Sequence, residues 1–122
     1  MVELYKLNDF IFDKEENVLN AEIEINVKHA IFEGHFPDKP ILPGVCQIEI
    51  LGELVNKLYD GDYRMLKAKT VKFLSVVDPN INLKLNYKLK MIDKGKVKSI
   101  AASAAFLDGE VCFKLNGDFV KS

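Results

Sequence analysis

At 122 residues and 13.8 kDa the chain has room for one domain around one core, which excludes a two-domain cofactor enzyme. Hydrophobic residues at 48% and charged residues at 29% fit a compact soluble fold and exclude a disordered chain. Seventeen basic against eighteen acidic side chains leave a net charge of −1, so no global field draws the protein to nucleic acid or an anionic membrane, and a charged partner is met locally.

The first residues, Met1-Val2-Glu3-Leu4-Tyr5-Lys6, lack the basic-then-apolar pattern of a secretory signal. The longest apolar run, 100–107, contains Ser103 and is far short of the roughly 20 residues that span a bilayer. A cytoplasmic protein is expected. Cys46 and Cys112 stand outside any CxxC or Cys/His cluster, which argues against a disulfide or a structural zinc. With no linker or repeat in view, residues 1–122 read as a single domain.

Residues 2–12 suggest a first strand, followed by a polar turn at 13–17. Over 21–27 the residues alternate, with Ala21, Ile23, Ile25 and Val27 facing the core. Residues 43–59 predict the one long helix, stopped by Asp60-Gly61-Asp62. At about 100° per residue, Val45, Ile48, Leu51, Leu54, Val55 and Leu58 gather on its apolar face. A shorter β-rich run covers 70–77. The clearest alternation is 82–91, where Leu83, Leu85, Tyr87, Leu89 and Met91 oppose polar residues.

Lys94-Gly95 turns the chain into a strand over 97–107, and Asp108-Gly109, a favoured type I′ pair, turns it into another over 111–120. Gly117 suggests a bulge in that last strand. About six strands and one amphipathic helix point to an α+β domain whose antiparallel sheet wraps the helix.

Between the second strand and the helix, Pro37, Pro40 and Pro43 stiffen a loop that contains His35 between Gly34 and Phe36. An imidazole held there and shielded by Phe36 can act as a general base. Hydrogen bonding to loop carbonyls, with no further role, is the competing account of the same residue. His29, in polar surroundings, reads as a surface residue without a role.

The helix start, Leu42-Pro43-Gly44, offers no capping side chain, so the Gly44 and Val45 amides are free to bind a carbonyl oxygen and to stabilise charge developing on it. Water or a neighbouring loop satisfies them in the alternative. Glu49 falls at the border of the apolar face, one turn before Glu53. Mutual repulsion and desolvation favour a protonated carboxyl there, as a general acid requires. A plain polar stripe, with Glu53 paired to Lys57, is the competing account.

Gly34-His35-Phe36-Pro37, Pro40, Pro43-Gly44-Val45 and Glu49 together resemble the signature of the 3-hydroxyacyl-acyl-carrier-protein dehydratases, across about sixteen residues. The resemblance implies a hotdog fold and a homodimer with its active site at the subunit interface, further association being open. It implies that His35 is the catalytic base, that Glu49 from the other subunit is the acid, and that the Gly44 amide polarises the thioester carbonyl. The expected reaction converts a (3R)-3-hydroxyacyl thioester to the trans-2-enoyl thioester without metal or redox cofactor. The substrate is carried on the phosphopantetheine of an acyl carrier protein, and Phe36, Val45 and Leu54 are candidates for the wall of its acyl tunnel. A Glu at position 49 is similar to the elongation dehydratases; the isomerising relatives tend to carry Asp.

The chain departs from that family's pattern in three places. The leading helix and aromatic-rich segment are missing at its start, Gly52-Glu53 replaces a usual Ala-Gln, and Phe73-Leu74-Ser75 replaces a basic, proline-containing run. A branch serving polyene or polyketide assembly fits as well as fatty-acid synthesis. Lys67, Lys69 and Lys72, or Lys94, Lys96 and Lys98, offer a docking patch for an acidic carrier, or simply solvated positions. A hotdog acyl thioesterase and a non-catalytic carrier-binding hotdog protein are the rival readings.

Overall fold

A computed structural model describes residues 3–33 and 39–122. The elements are β1 (Tyr5–Asp13), β2 (Val18–Ile25), the helix α1 (Gly44–Tyr59), β3 (Tyr63–Phe73), β4 (Lys84–Lys94), β5 (Val97–Phe106) and β6 (Val111–Lys121), with a single 3₁₀ turn at Ala30–Phe32. The strands form one six-stranded antiparallel sheet in the order β1-β2-β4-β5-β6-β3. The meander expected from the last three strands is present as β4-β5-β6. The Ala-rich strand β5 is internal to the subunit's sheet, paired on both sides.

Alternation along the strands decides which face is covered. Leu19, Ala21, Ile23 and Ile25, then Leu85, Tyr87, Leu89 and Met91, then Phe113, Leu115 and Phe119 are buried in one cluster with Ile50, Leu51, Leu54 and Val55 of α1. Leu51, Leu54 and Val55 are at most 1% exposed, and burying each contributes about 1.5–3 kcal/mol. Tyr87 adds a polar tie, its hydroxyl donating to the Gln47 carbonyl at 2.9 Å. Burial pushes that phenol's pKa up, which keeps it a donor.

Five details differ from the sequence-based expectation. Val27 lies beyond the end of β2 and is 41% exposed. The helix is rotated so that Cys46, Gln47 and Ile50 are buried while Val45 is 64% exposed. β3 starts at Tyr63, earlier than the 70–77 run, because an edge strand lacks clean alternation and two register shifts break its pattern further.

Those shifts lie in β3, between Met65 and Lys67 and between Ala68 and Thr70, opposite Gly117. Gly117 serves close approach: a Cβ there would stand 2.9 Å from the Lys67 carbonyl oxygen. The β5–β6 connection is a three-residue loop with only Gly109 at positive φ, 97°. Asp108 therefore forms no type I′ turn; its Oδ1 accepts from the Glu110 amide at 2.8 Å.

Candidate active site

The loop that carries His35 and Phe36 lies outside the described residues, so the site is built from the helix and its surroundings. Pro43 precedes α1 in extended conformation, with φ −60° and ψ 150°, and makes no side-chain cap. Its carbonyl accepts from the Cys46 and Gln47 amides. The Gly44 and Val45 amides donate to no acceptor among the described residues. They stand at the positive end of a 16-residue helix.

Beside them opens a cavity of about 380 Å³, lined by Leu42, Pro43, Gly44, Gln47, Phe73 and Val76 among others. Gly44 leaves room for the ring beside it: a Cβ would lie 2.6 Å from Phe73 Cζ, so a larger residue would displace that ring. Phe73 is itself held by stacking on Phe113, with ring centroids 5.4 Å apart. Gln47 was not singled out from the sequence. It is 4% exposed, its Nε2 donates to the Leu42 carbonyl at 3.2 Å, and its Oε1 is buried without a partner. The signal was available, since at helical spacing position 47 falls between Leu51 and Leu54 on the core side.

Glu49 is exposed and lines a different cavity, of about 310 Å³, with Tyr5, His29, Cys46, Ile50 and Glu53. Within one chain, Gly44 and Glu49 therefore face separate hollows on two sides of α1. Glu53 does not pair with Lys57 in this structure. It accepts the Tyr5 hydroxyl at 2.5 Å, while the Lys57 ammonium lies 5.4 Å from the centre of the Phe10 ring. Burial, and then the Glu53 acceptor, pushes the Tyr5 pKa well up. Burial, with the Glu49 charge adding to it, pushes the Cys46 thiol up as well.

His29 is not a featureless surface residue. Its Nδ1 accepts from the Ile31 amide at 3.0 Å and so caps the 3₁₀ turn, while the ring lines the Glu49 cavity. Of the proposed tunnel residues, Val45 is on the surface beside Glu49 and Leu54 sits in the core, outside the lining of both cavities.

The lysines also sort themselves. Lys98 is committed to Asp93 at 2.9 Å and lies over the Tyr59 ring, and Lys69 is 3.6 Å from Asp118. The hydrogen bond from Lys98 holds the Asp93 carboxyl below its ordinary range, and the one from Ser99 does the same for Asp118. No helix among the described residues is long and apolar enough to cross a membrane.

A six-stranded antiparallel sheet curled around one long helix is the hotdog fold. Solved structures share it. The dehydratase heterocomplex ApeI:P from Xenorhabdus doucetiae superposes with a TM-score of 0.74 at 17% identity, covering 96% of this chain and 98% of that one. A hypothetical thioesterase with coenzyme A from Streptococcus pneumoniae TIGR4 gives 0.66 at 10% identity, covering 97% and 85%.

The chain belongs to the ApeI-like family, whose model, described as ApeI dehydratase, matches residues 12–109. Its curated relatives include the 3-hydroxyacyl-[acyl-carrier-protein] dehydratases FabZ of Fusobacterium nucleatum, 29% identical over 113 residues, and of Helicobacter acinonychis, 30% identical over 118. The first alignment covers 88% of this chain and 79% of the relative, the second 86% and 74%.

Proposed function

We propose that the protein dehydrates a (3R)-3-hydroxyacyl thioester, presented on an acyl carrier protein, to the trans-2-enoyl thioester in fatty-acid or polyene/polyketide biosynthesis. The observation that carries this reading is the uncapped first turn of α1, with Gly44 lining a cavity and Glu49 exposed little more than one turn later. Membership of a dehydratase family supports it.

In this reading the thioester carbonyl oxygen takes the Gly44 amide, which favours the enolate-like charge as it develops. The His35 imidazole removes the C2 proton. The C3–O bond then breaks, the Glu49 carboxyl gives its proton to the departing hydroxyl, and water leaves. Returning the proton from imidazole to carboxylate resets the site. The steps are redox-neutral and ask nothing of a metal.

Glu49 faces away from the Gly44 cavity within one chain, so the reading places two copies side by side, each completing the other's site. The free edge strand β3 and its flank supply the apolar surface for that: Leu66, Val71, Phe73, Leu74 and Val76 are all exposed, whereas the other edge, β1, exposes only Ile11 among large apolar residues. Such an edge is a template for pairing with a second chain.

The test is to incubate the protein with an enoyl thioester and follow enoyl absorbance and free thiol together. Loss of absorbance without thiol is the expected result, since hydration is the reverse of the proposed reaction. Thiol release overturns the reading in favour of a thioesterase. No change, with carrier still bound, overturns it in favour of a non-catalytic carrier-binding protein.

A further inference from the structure

Gln47 is 4% exposed, yet only half of its side-chain amide is used. Nε2 donates to the Leu42 carbonyl at 3.2 Å. Oε1 is, among the described residues, the one buried side-chain nitrogen or oxygen without a partner. Leaving such an oxygen bare costs on the order of 1–3 kcal/mol. The tie to Leu42 needs only the Nε2 donor, so it gives the oxygen no purpose, and a buried group of this kind calls for one.

Its position supplies the purpose. Side chains on an α-helix lean toward the N-terminus, and residues three apart share a face. Gln47 follows that rule, reaching back past Gly44 to Leu42. Its amide therefore stands beside the helix tip, and Gly44 and Gln47 line the same cavity of about 380 Å³. The group is also held there. Tyr87 donates to the Gln47 backbone carbonyl at 2.9 Å, and the Leu42 amide donates to the Val77 carbonyl at 2.9 Å, which fixes the acceptor that Nε2 uses.

The cavity thus brings together donors without acceptors and an acceptor without a donor. The Gly44 and Val45 amides have no acceptor among the described residues, and Oε1 has no donor. No charged side chain lines the cavity, and the hydroxyl of its Ser75 donates to the Glu110 carboxylate at 3.2 Å. A neutral ligand satisfies both ends when it carries a carbonyl oxygen and, a few bonds away, an N–H or O–H. An anion would set negative charge against the bare oxygen.

A 3-hydroxyacyl thioester on a pantetheine arm has two such donors near its carbonyl. One is the 3-hydroxyl, on the acyl side; the other is the amide N–H two carbons beyond the sulfur. In the function proposed above the hydroxyl is met by Glu49, which lines a different hollow. The amide N–H is the donor left for the Gly44 side. We propose that Gln47 Oε1 accepts this N–H, which makes Gln47 a substrate-binding residue that selects thioesters bearing an amide at that position. The thioester rests on the dehydratase reading; the unpaired acceptor beside the helix tip does not.

The experiment sets one enoyl group on two thiols, N-acetylcysteamine and its ester analogue 2-mercaptoethyl acetate, in which oxygen replaces the N–H. Hydration of both is followed with the natural chain and with Gln47→Met. The natural chain should favour the amide by about tenfold or more in kcat/KM, carried by KM, and the ratio should fall toward one in the variant. A natural chain that treats the two alike overturns the proposal. So does a ratio that survives in Gln47→Met, including one that survives an equal loss of rate on both thioesters, since that is the mark of a merely structural role.

Should neither thioester react, the dehydratase reading fails. Binding of the same two compounds is then compared by NMR titration, with the same preference expected and equal affinities, or none, overturning the proposal. Gln47→Asn, which draws the amide back by one methylene, replaces Gln47→Met if circular dichroism shows that the fold is lost, and the ratio should fall in it too.

Discussion

The Phe73 ring lies across Gly44, so close that a Cβ on residue 44 would stand 2.6 Å from Phe73 Cζ. The ring and the helix tip therefore share one space, and both line the same cavity. Gly44→Ala is expected to push the ring aside and misplace a bound carbonyl, lowering kcat/KM on the order of 10²-fold. Phe73→Leu, added to Gly44→Ala, should recover part of the loss. Steady-state hydration rates for the two variants decide it; an unimpaired single variant overturns the steric account.

His35→Ala and Glu49→Gln should each lower turnover by roughly 10²-fold or more, as loss of a general base or acid does. Because Glu49 is exposed, Glu49→Gln should leave the thermal midpoint unchanged. Mixing the two inactive variants should restore activity if each site draws His35 from one copy and Glu49 from the other. Wild-type rates in either variant would remove that residue from the mechanism.

Leu54 behaves as core and Val45 as surface. With 1% of its surface accessible, Leu54→Ala is expected to cost about 2–5 kcal/mol of stability in urea unfolding. Val45→Ala, at 64% exposure, should stay within about 0.5 kcal/mol, so any loss of rate it causes reports on binding instead of folding.

Cys112 predicts an alkaline weakness. Its buried thiol, whose Sγ lies 3.4 Å from the Ala104 carbonyl oxygen, is pushed up by burial from 9.0 to about 11. A pKa raised in the folded state means that the unfolded thiol ionises first. The contribution is therefore complete below pH 9 and lost as pH rises toward about 11. The full loss is about 3 kcal/mol at two pK units. Urea midpoints at pH 8 and pH 11 should separate less in Cys112→Ala than in the natural chain, and equal separations would contradict the assignment.

Strands with one wet face were legible because burial on a single side imprints a period of two, as it does along 82–91. The helix was legible from its length and from the stop at Asp60, which adopts φ 49°. What misled was the apolar face of α1. Counting hydrophobic residues included Val45, and it passed over Gln47, whose amide is buried because Leu42 gives it a partner from outside the helix. β3 was truncated for a related reason: an edge strand is exposed on both faces and leaves little pattern to count.

The sequence by itself determined the class of fold, the helix and the absence of a capping side chain before Gly44, because each depends on residues adjacent in the chain or repeating at a local period. Only the tertiary structure decided that Glu49 and Gly44 open on different sides of α1, and that Tyr5 reaches Glu53 across 48 positions. Those relations are set by strand register and helix rotation, which the core selects through packing between segments far apart in sequence, and no local pattern encodes them.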